Sequence, residues 1–184
     1  MDSKKLLVFS DTHGSVSSLK AVFAWANKYT PPNGAICGAA FLGDGLADLQ
    51  PAADATGFFC DWKVVRGNND FGFSTPETAV MEYADNCFFL CHGHRHSLYG
   101  GFHSLVAAAS NNGANVVLYG HSHIPNVRTM DGILLVNPGS VGRPRSRVGA
   151  TFAVIECKSG EPLEVKFYGI DHGKIKELKL PGEK

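Results

Sequence analysis

Two imidazoles separated by a single serine, His121 and His123, follow the apolar run Val116-Val117-Leu118-Tyr119 and a glycine, Gly120, that reads as a sharp turn off a strand. Neutral imidazole is the commonest metal ligand in proteins, and two on one extended loop reach neighbouring coordination positions. Four other apolar runs end in the same way. Asp11 and His13 come at the end of Leu6 to Ser10, Asp44 after Ala39 to Leu42, Asn68 after Lys63 to Val65, and His92 after Phe88 to Cys91. Each group alone has an ordinary reading. Asp11 could cap a helix, Gly43-Asp44 could form a turn, Asn68 could take a left-handed conformation and His92 could be a half-buried, hydrogen-bonded histidine. Turn chemistry gives no reason for every one of these ends to carry a potential ligand while Lys, Glu and Gln are absent there. Nitrogen and oxygen donors without thiolate suit six-coordinate divalent ions such as Mn²⁺, Fe²⁺, Co²⁺, Ni²⁺ or Zn²⁺. Seven donors exceed the need of one ion that keeps an open position, yet suffice for two ions sharing a carboxylate. Metals paired about 3.5 to 4 Å apart are a recurrent device for in-line displacement at phosphorus.

The elements that must position these residues follow from periodicity. Leu6 to Ser10 reads as an interior strand, and Val16, Leu19, Val22, Phe23 and Ala26 then recur at helical spacing. Ser15, Ser17 and Ser18 offer N-caps for that helix, and Pro31-Pro32-Asn33-Gly34 stops it. Strands at Ala39 to Leu42 and Lys63 to Val65 complete an alternation that implies parallel strands with crossover helices, delivering polar residues to one C-terminal edge. Later segments read as hairpins: Ala79 to Tyr83 with Phe88 to Cys91, Val127 to Met130 with Ile133 to Val136 around Asp131-Gly132, and Ala150 to Glu156 with Leu163 to Tyr168 around Ser159-Gly160. Gly101 to Asn112 reads as a helix with Gly113 at C′. Parallel units first and hairpins later predict an α/β/β/α sandwich, two mixed sheets flanked by helices, in one domain over 1–184.

The ordered set Asp-x-His-Gly, Gly-Asp, Gly-Asn-x-Asp, His-Gly-His and Gly-His-x-His, from Asp11 to His123, resembles the calcineurin-like metallophosphoesterase superfamily. The compact size is similar to that of its small bacterial and archaeal phosphodiesterases, and Asn137-Pro138-Gly139-Ser140 resembles the segment that follows in that branch. The resemblance implies the superfamily's sandwich fold and two divalent metal ions per chain, Mn²⁺ foremost, with Ni²⁺, Fe²⁺, Co²⁺ or Zn²⁺ as alternatives. It assigns Asp11, His13 and His123 to one ion, Asn68, His92 and His121 to the other, and Asp44 between them. A hydroxide shared by the metals would attack phosphorus in line, with Asn68 or its neighbours donating to the phosphate oxygens. One departure bears on substrate. Many phosphomonoesterases of the superfamily carry a histidine directly after Gly-Asn, and this chain has Asn69, whose amide has no useful proton-transfer pKa. The Asp-Arg-Gly of the protein phosphatase branch is missing as well, since Gly45-Leu46-Ala47-Asp48 follows Asp44. The expected activity is therefore on a small phosphodiester with a good leaving group.

Other residues carry open readings. His94 could enter the substrate pocket, because Gly93 lets the chain fold back, or could hydrogen-bond behind the ligands. Asn69 and Arg143 could contact substrate. Arg143, Arg145 and Arg147 could grip a phosphate or form a solvated loop. Asp48 and Asp70 are expected to stabilise loops, and His96, His103 and His172 to be surface residues. Lys and Arg together number 17, as do Asp and Glu, so the chain lacks the charge footprint of a general nucleic-acid binder. Five scattered cysteines without a CxxC pair argue for reduced core thiols and a cytoplasmic location. No stretch approaches membrane-spanning length, and homo-oligomerisation stays open. The competing reading is a catalytically weak scaffold or binding protein on the same fold, as in the retromer subunit of this superfamily. The intact set of seven ligands counts against it.

Overall fold

The computed structural model describes residues 4–29 and 35–180, so Pro31 to Gly34, expected to stop the first helix, lie outside the described residues. Strand β1 (Lys4–Phe9) leads to helix α1 (Val16–Ala26), β2 (Ile36–Phe41), α2 (Leu46–Thr56) and β3 (Asp61–Val64). Then come β4 (Thr78–Tyr83), β5 (Asn86–Cys91), a short 3-10 turn (Leu98–Gly100) and α3 (His103–Asn111). Strands β6 (Val116–Tyr119), β7 (Asn126–Met130), β8 (Ile133–Asn137), β9 (Ala150–Cys157), β10 (Glu164–Asp171) and β11 (Lys174–Leu178) complete the described chain. One sheet has the order β11-β10-β9-β1-β2-β3 and the other β4-β5-β6-β8-β7.

Alternation along each interior strand builds the layers. In β1, Leu7 and Phe9 face α1 and α2, where Leu19, Val22, Phe23 and Ala52 meet them, while Leu6 and Val8 face the opposite sheet. In β5 and β6, Phe88, Leu90, Val116 and Leu118 fill the space between the sheets, and Phe89, Cys91, Val117 and Tyr119 pack on Leu105, Val106 and Ala109 of α3. Three apolar layers thus separate four structural ones, and the α/β/β/α sandwich of two mixed sheets is the observed fold.

The strands carrying the candidate ligands form two parallel triples. Strand β2 pairs in parallel with both β1 and β3, and β6 with both β5 and β8. The three expected hairpins, β4-β5, β7-β8 and β9-β10, are all antiparallel pairs. Strand β6 is buried on both faces, so it lies inside its sheet beside β8, while the hairpin partners β4 and β7 take the edges. The last hairpins, β9-β10 and β10-β11, return to the first sheet. The expected turns occur where read, with Asp131 and Gly132 at φ 52° and 78°. The cysteines are all free but not all core thiols: Cys91 and Cys157 are buried, Cys60 and Cys87 half-buried, and Cys37 exposed. Strand β3 first pairs with β2 at Asp61 opposite Gly38, so the preceding end of β2 lies beyond that pairing. No helix among the described residues is long and apolar enough to cross a membrane.

Candidate metal centre

Each predicted ligand sits just past the C-terminal end of a strand of one parallel triple, and the two sheets bring these ends together. Asp11 Oδ1 lies 3.0 Å from His123 Nε2, 3.7 Å from His13 Nε2 and 3.9 Å from His92 Nε2. Asp44 Oδ2 lies 3.4 Å from His92 Nε2 and 3.6 Å from His13 Nε2. Two groups able to hold an ion result, Asp11-His13-His123 and Asp11-Asp44-His92. Asp11 belongs to both, and Asp44 also stands between the two histidines expected to serve different ions. His121 lies beside these groups, its ring centroid 5.2 Å from that of His92, and Asn68 is on the adjoining wall.

Sharp backbone turns aim these side chains. Asp11, His13, Asp44, His121 and His123 all adopt left-handed φ values between 45° and 66°. Such values are uncommon outside glycine and concentrate at functional sites. Asn68, for which a left-handed turn was the ordinary reading, is not among the positive-φ residues. Neither is Gly120, whose role is close approach. A Cβ there would strike the Ser10 hydroxyl and stand 2.8 Å from Asp11 Oδ2.

Carboxylates and a polar loop hold the turns in register. Asp70 accepts four backbone N–H bonds, from Asp44 (2.7 Å), Gly45 (2.8 Å), Leu46 (2.9 Å) and Gly67 (2.8 Å), locking the loop after β2 to the loop after β3. Asp48, in the first turn of α2, accepts from Gly14 N–H at 2.8 Å and from the Thr12 hydroxyl, fixing the loop after β1. Asn137 donates to the Gly120 carbonyl, and Ser140 to the Asp11 carbonyl, both at 2.8 Å. The loop after β8 thereby binds the His121–His123 turn to the Asp11 turn.

Hydrogen bonds also set the tautomers. His92 Nδ1 is 2.7 Å from the Leu42 carbonyl and His123 Nδ1 is 2.5 Å from the Arg143 carbonyl. A carbonyl only accepts, so each Nδ1 carries the proton and each neutral ring presents its Nε2 lone pair to the centre. Burial opposes ionisation of Asp44, but His92 and the Asn69 N–H groups outweigh it and hold its pKa at about 2. Burial opposes ionisation of Asp11 too, and His123, His13 and His92 outweigh it, keeping this carboxyl well below the usual carboxylate range. Burial disfavours protonated His92 and His123, yet the neighbouring carboxylates raise both pKa values. His121 and His94 move the other way, through burial and then through the charge of His92. The floor therefore attracts positive charge. Moreover, Asp11 Oδ1 and His92 Nε2 are buried without a hydrogen bond of acceptable geometry. Two orphaned donors of hard-to-borderline type, aimed at one point beside Asp44, fit a divalent ion.

Above the floor lies a cleft of about 370 Å³ lined by His13, Asp44, Asn68, Asn69, His121, His123 and Arg143-Pro144-Arg145. Asn68 is exposed on its wall. Asn69 turns to Asp44, donating from its backbone N–H at 2.8 Å and from its side-chain amide at 2.5 Å. His94 does not line the cleft. Its ring lies 5.5 Å from that of His92 and its Nδ1 is buried without a partner. Of the three loop arginines, two line the cleft and Arg147 does not. Sequence reasoning gave Arg145 no separate role; its only signal was a basic residue two positions from Arg143.

Known proteins resemble this chain in sequence and in fold. A probable metallophosphoesterase of Mycoplasma pneumoniae is 33% identical over 168 residues, 89% of this chain and 96% of that protein. The crystal structure of a predicted phosphoesterase from Streptococcus pneumoniae, 27% identical, covers 97% of this chain and 98% of its own with a TM-score of 0.75. Vps29 from Cryptosporidium parvum shares the fold, at 16% identity and a TM-score of 0.77 over 97% of both chains. The family model of the calcineurin-like phosphoesterase superfamily domain matches residues 5–160, and the chain belongs to that superfamily.

Proposed function

We propose that this metallophosphoesterase is a two-metal phosphodiesterase acting on a small phosphodiester, with Mn²⁺ as the expected ion. The observation that carries the reading is the meeting of the orphaned Asp11 Oδ1 and His92 Nε2 beside Asp44 on the floor of an open cleft. We assign Asp11, His13 and His123 to one ion, His92, His121 and Asn68 to the other, and Asp44 to both. The chemistry that divalent ions supply when bound is polarisation of the phosphoryl oxygens and acidification of water. The chain's own part is placement. Asp11 and Asp44 stay ionised, the Leu42 and Arg143 carbonyls hold the Nδ1 protons so that the neutral rings of His92 and His123 turn Nε2 to the centre, and Asn68 offers amide donors from the wall to a phosphoryl oxygen.

The preference for a diester rests on Asn69. Both of its N–H groups are directed at Asp44, and an amide cannot protonate a leaving group, so esters of acidic alcohols are favoured. His94 supports the reading from beside His92 and His121 rather than from the cleft wall. The scattered, unpaired cysteines support a cytoplasmic location.

The deciding experiment is hydrolysis of bis(p-nitrophenyl) phosphate after chelation, with and without Mn²⁺, beside an Asp44→Ala control. Turnover restored by metal in the wild type and absent from the control is expected, as is faster cleavage of this diester than of an alkyl monoester. Folded protein that is inert with Mn²⁺, Ni²⁺ and Co²⁺ alike would replace the proposal with a binding role.

A further inference from the structure

Arg143-Pro144-Arg145 forms part of the cleft wall and is fixed from beneath by a candidate ligand. The Arg143 carbonyl accepts from His123 Nδ1, Arg143 N–H donates to Ser140 Oγ at 2.7 Å, and Arg145 N–H donates to the His123 carbonyl at 3.1 Å. Both arginines are exposed. Among the described residues, neither guanidinium makes an ion pair or a hydrogen bond, whereas Arg66 and Arg95 are both engaged by Glu77. The one carboxylate lining the cleft is Asp44, buried at its floor. A chain of zero net charge therefore keeps two unpaired cations at the mouth of its candidate site, on a loop whose backbone is anchored to His123.

We infer that Arg143 and Arg145 receive a second anionic group of the substrate, so that the preferred class is a phosphodiester bearing an additional phosphate monoester. This inference rests on the phosphoesterase reading above. The cleft has the size of a small organic ligand's site rather than that of one phosphate. On that reading the scissile group is provided for at the floor, by the ions that Asp11, Asp44 and the histidines would hold. Guanidinium matches phosphate oxygens in pairs, and two exposed ones together give a useful preference where one alone gives little.

The test compares two esters that differ only in that phosphate, thymidine 5′-(p-nitrophenyl phosphate) and its 3′-phosphorylated form. In both, water adds to the 5′ phosphorus, the P–O bond to the aryl group breaks and p-nitrophenolate leaves. The wild type with Mn²⁺ should favour the 3′-phosphorylated ester by about tenfold in kcat/KM, chiefly through KM, and Arg145→Gln and Arg143→Gln/Arg145→Gln should bring that ratio toward one. A ratio near one in the wild type, or a ratio the variants leave intact, overturns the inference; in the latter case an equal fall on both esters would place the arginines on the scissile phosphate. A binding arm separates this from failure of the phosphoesterase reading. Calorimetry on chelated protein should find thymidine 3′,5′-bisphosphate bound more tightly than thymidine 5′-monophosphate, with Arg145→Gln removing the difference. Equal affinities there overturn the inference whether or not the protein turns over either ester.

Discussion

At the scale of single residues, the centre depends on a carboxylate outside both ligand groups. Asp70 receives four backbone N–H groups from two loops, and without it those donors are left buried and unpaired. Asp70→Ala should lower unfolding stability by about 3 kcal/mol in urea titration and weaken Mn²⁺ retention, while Asp70→Asn, with one acceptor oxygen left, should fall between. Only its place after Gly67-Asn68-Asn69 marked this residue in the sequence, because a spacing motif shows that a carboxylate is present and not which amides it collects. Asp44 carries the pH prediction. Its pKa falls from 3.8 to about 2 on folding, against burial, through His92 and Asn69. In chelated protein the stability it contributes is thus complete above about pH 4 and is lost as pH falls toward 2. By linkage the loss is roughly 2 kcal/mol. Melting curves from pH 5 to 2 should show the wild type converging on Asp44→Asn by that amount; parallel curves would refute it.

At the scale of elements, the interior strands were legible because each alternates between two apolar layers, and the candidate ligands because they follow those strands. Helix α2 was less so. Pro51 lies inside Leu46–Thr56, where proline ordinarily breaks a helix, yet the helix runs through it and ends at the left-handed Gly57. Pro51 is exposed and removes an intrahelical donor, so Pro51→Ala should stabilise the protein by about 1 kcal/mol, seen as a raised melting temperature with the Mn²⁺ response preserved. Strand β11 escaped notice for a different reason. Its Lys-Ile-Lys-Glu-Leu sequence is that of a short, charged edge strand, the kind that discourages edge-to-edge pairing and carries little apolar signal. The expected helix from Gly101 begins only at His103, since Gly101 sits at φ 112° and belongs to the preceding turn.

At the scale of the molecule, two sheets meet at their C-terminal edges, and the centre is the seam between them: Asp11 and Asp44 come from the first sheet, His92, His121 and His123 from the second. An ion bound there couples both halves and is lost on unfolding. Saturating Mn²⁺ should therefore raise the melting temperature of chelated wild type by roughly 10 °C, and Asp44→Ala should abolish most of that rise. This readout needs no turnover. The five left-handed residues Asp11, His13, Asp44, His121 and His123 give the seam one more property. Each costs roughly 1 kcal/mol relative to an ordinary conformation, so together they approach the whole net stability of a small domain. That strain is held in place by the hydrogen bonds that tie the turns together, from His121 N–H to Asp11, from Asn69 to Asp44 and from His123 to the Arg143 carbonyl.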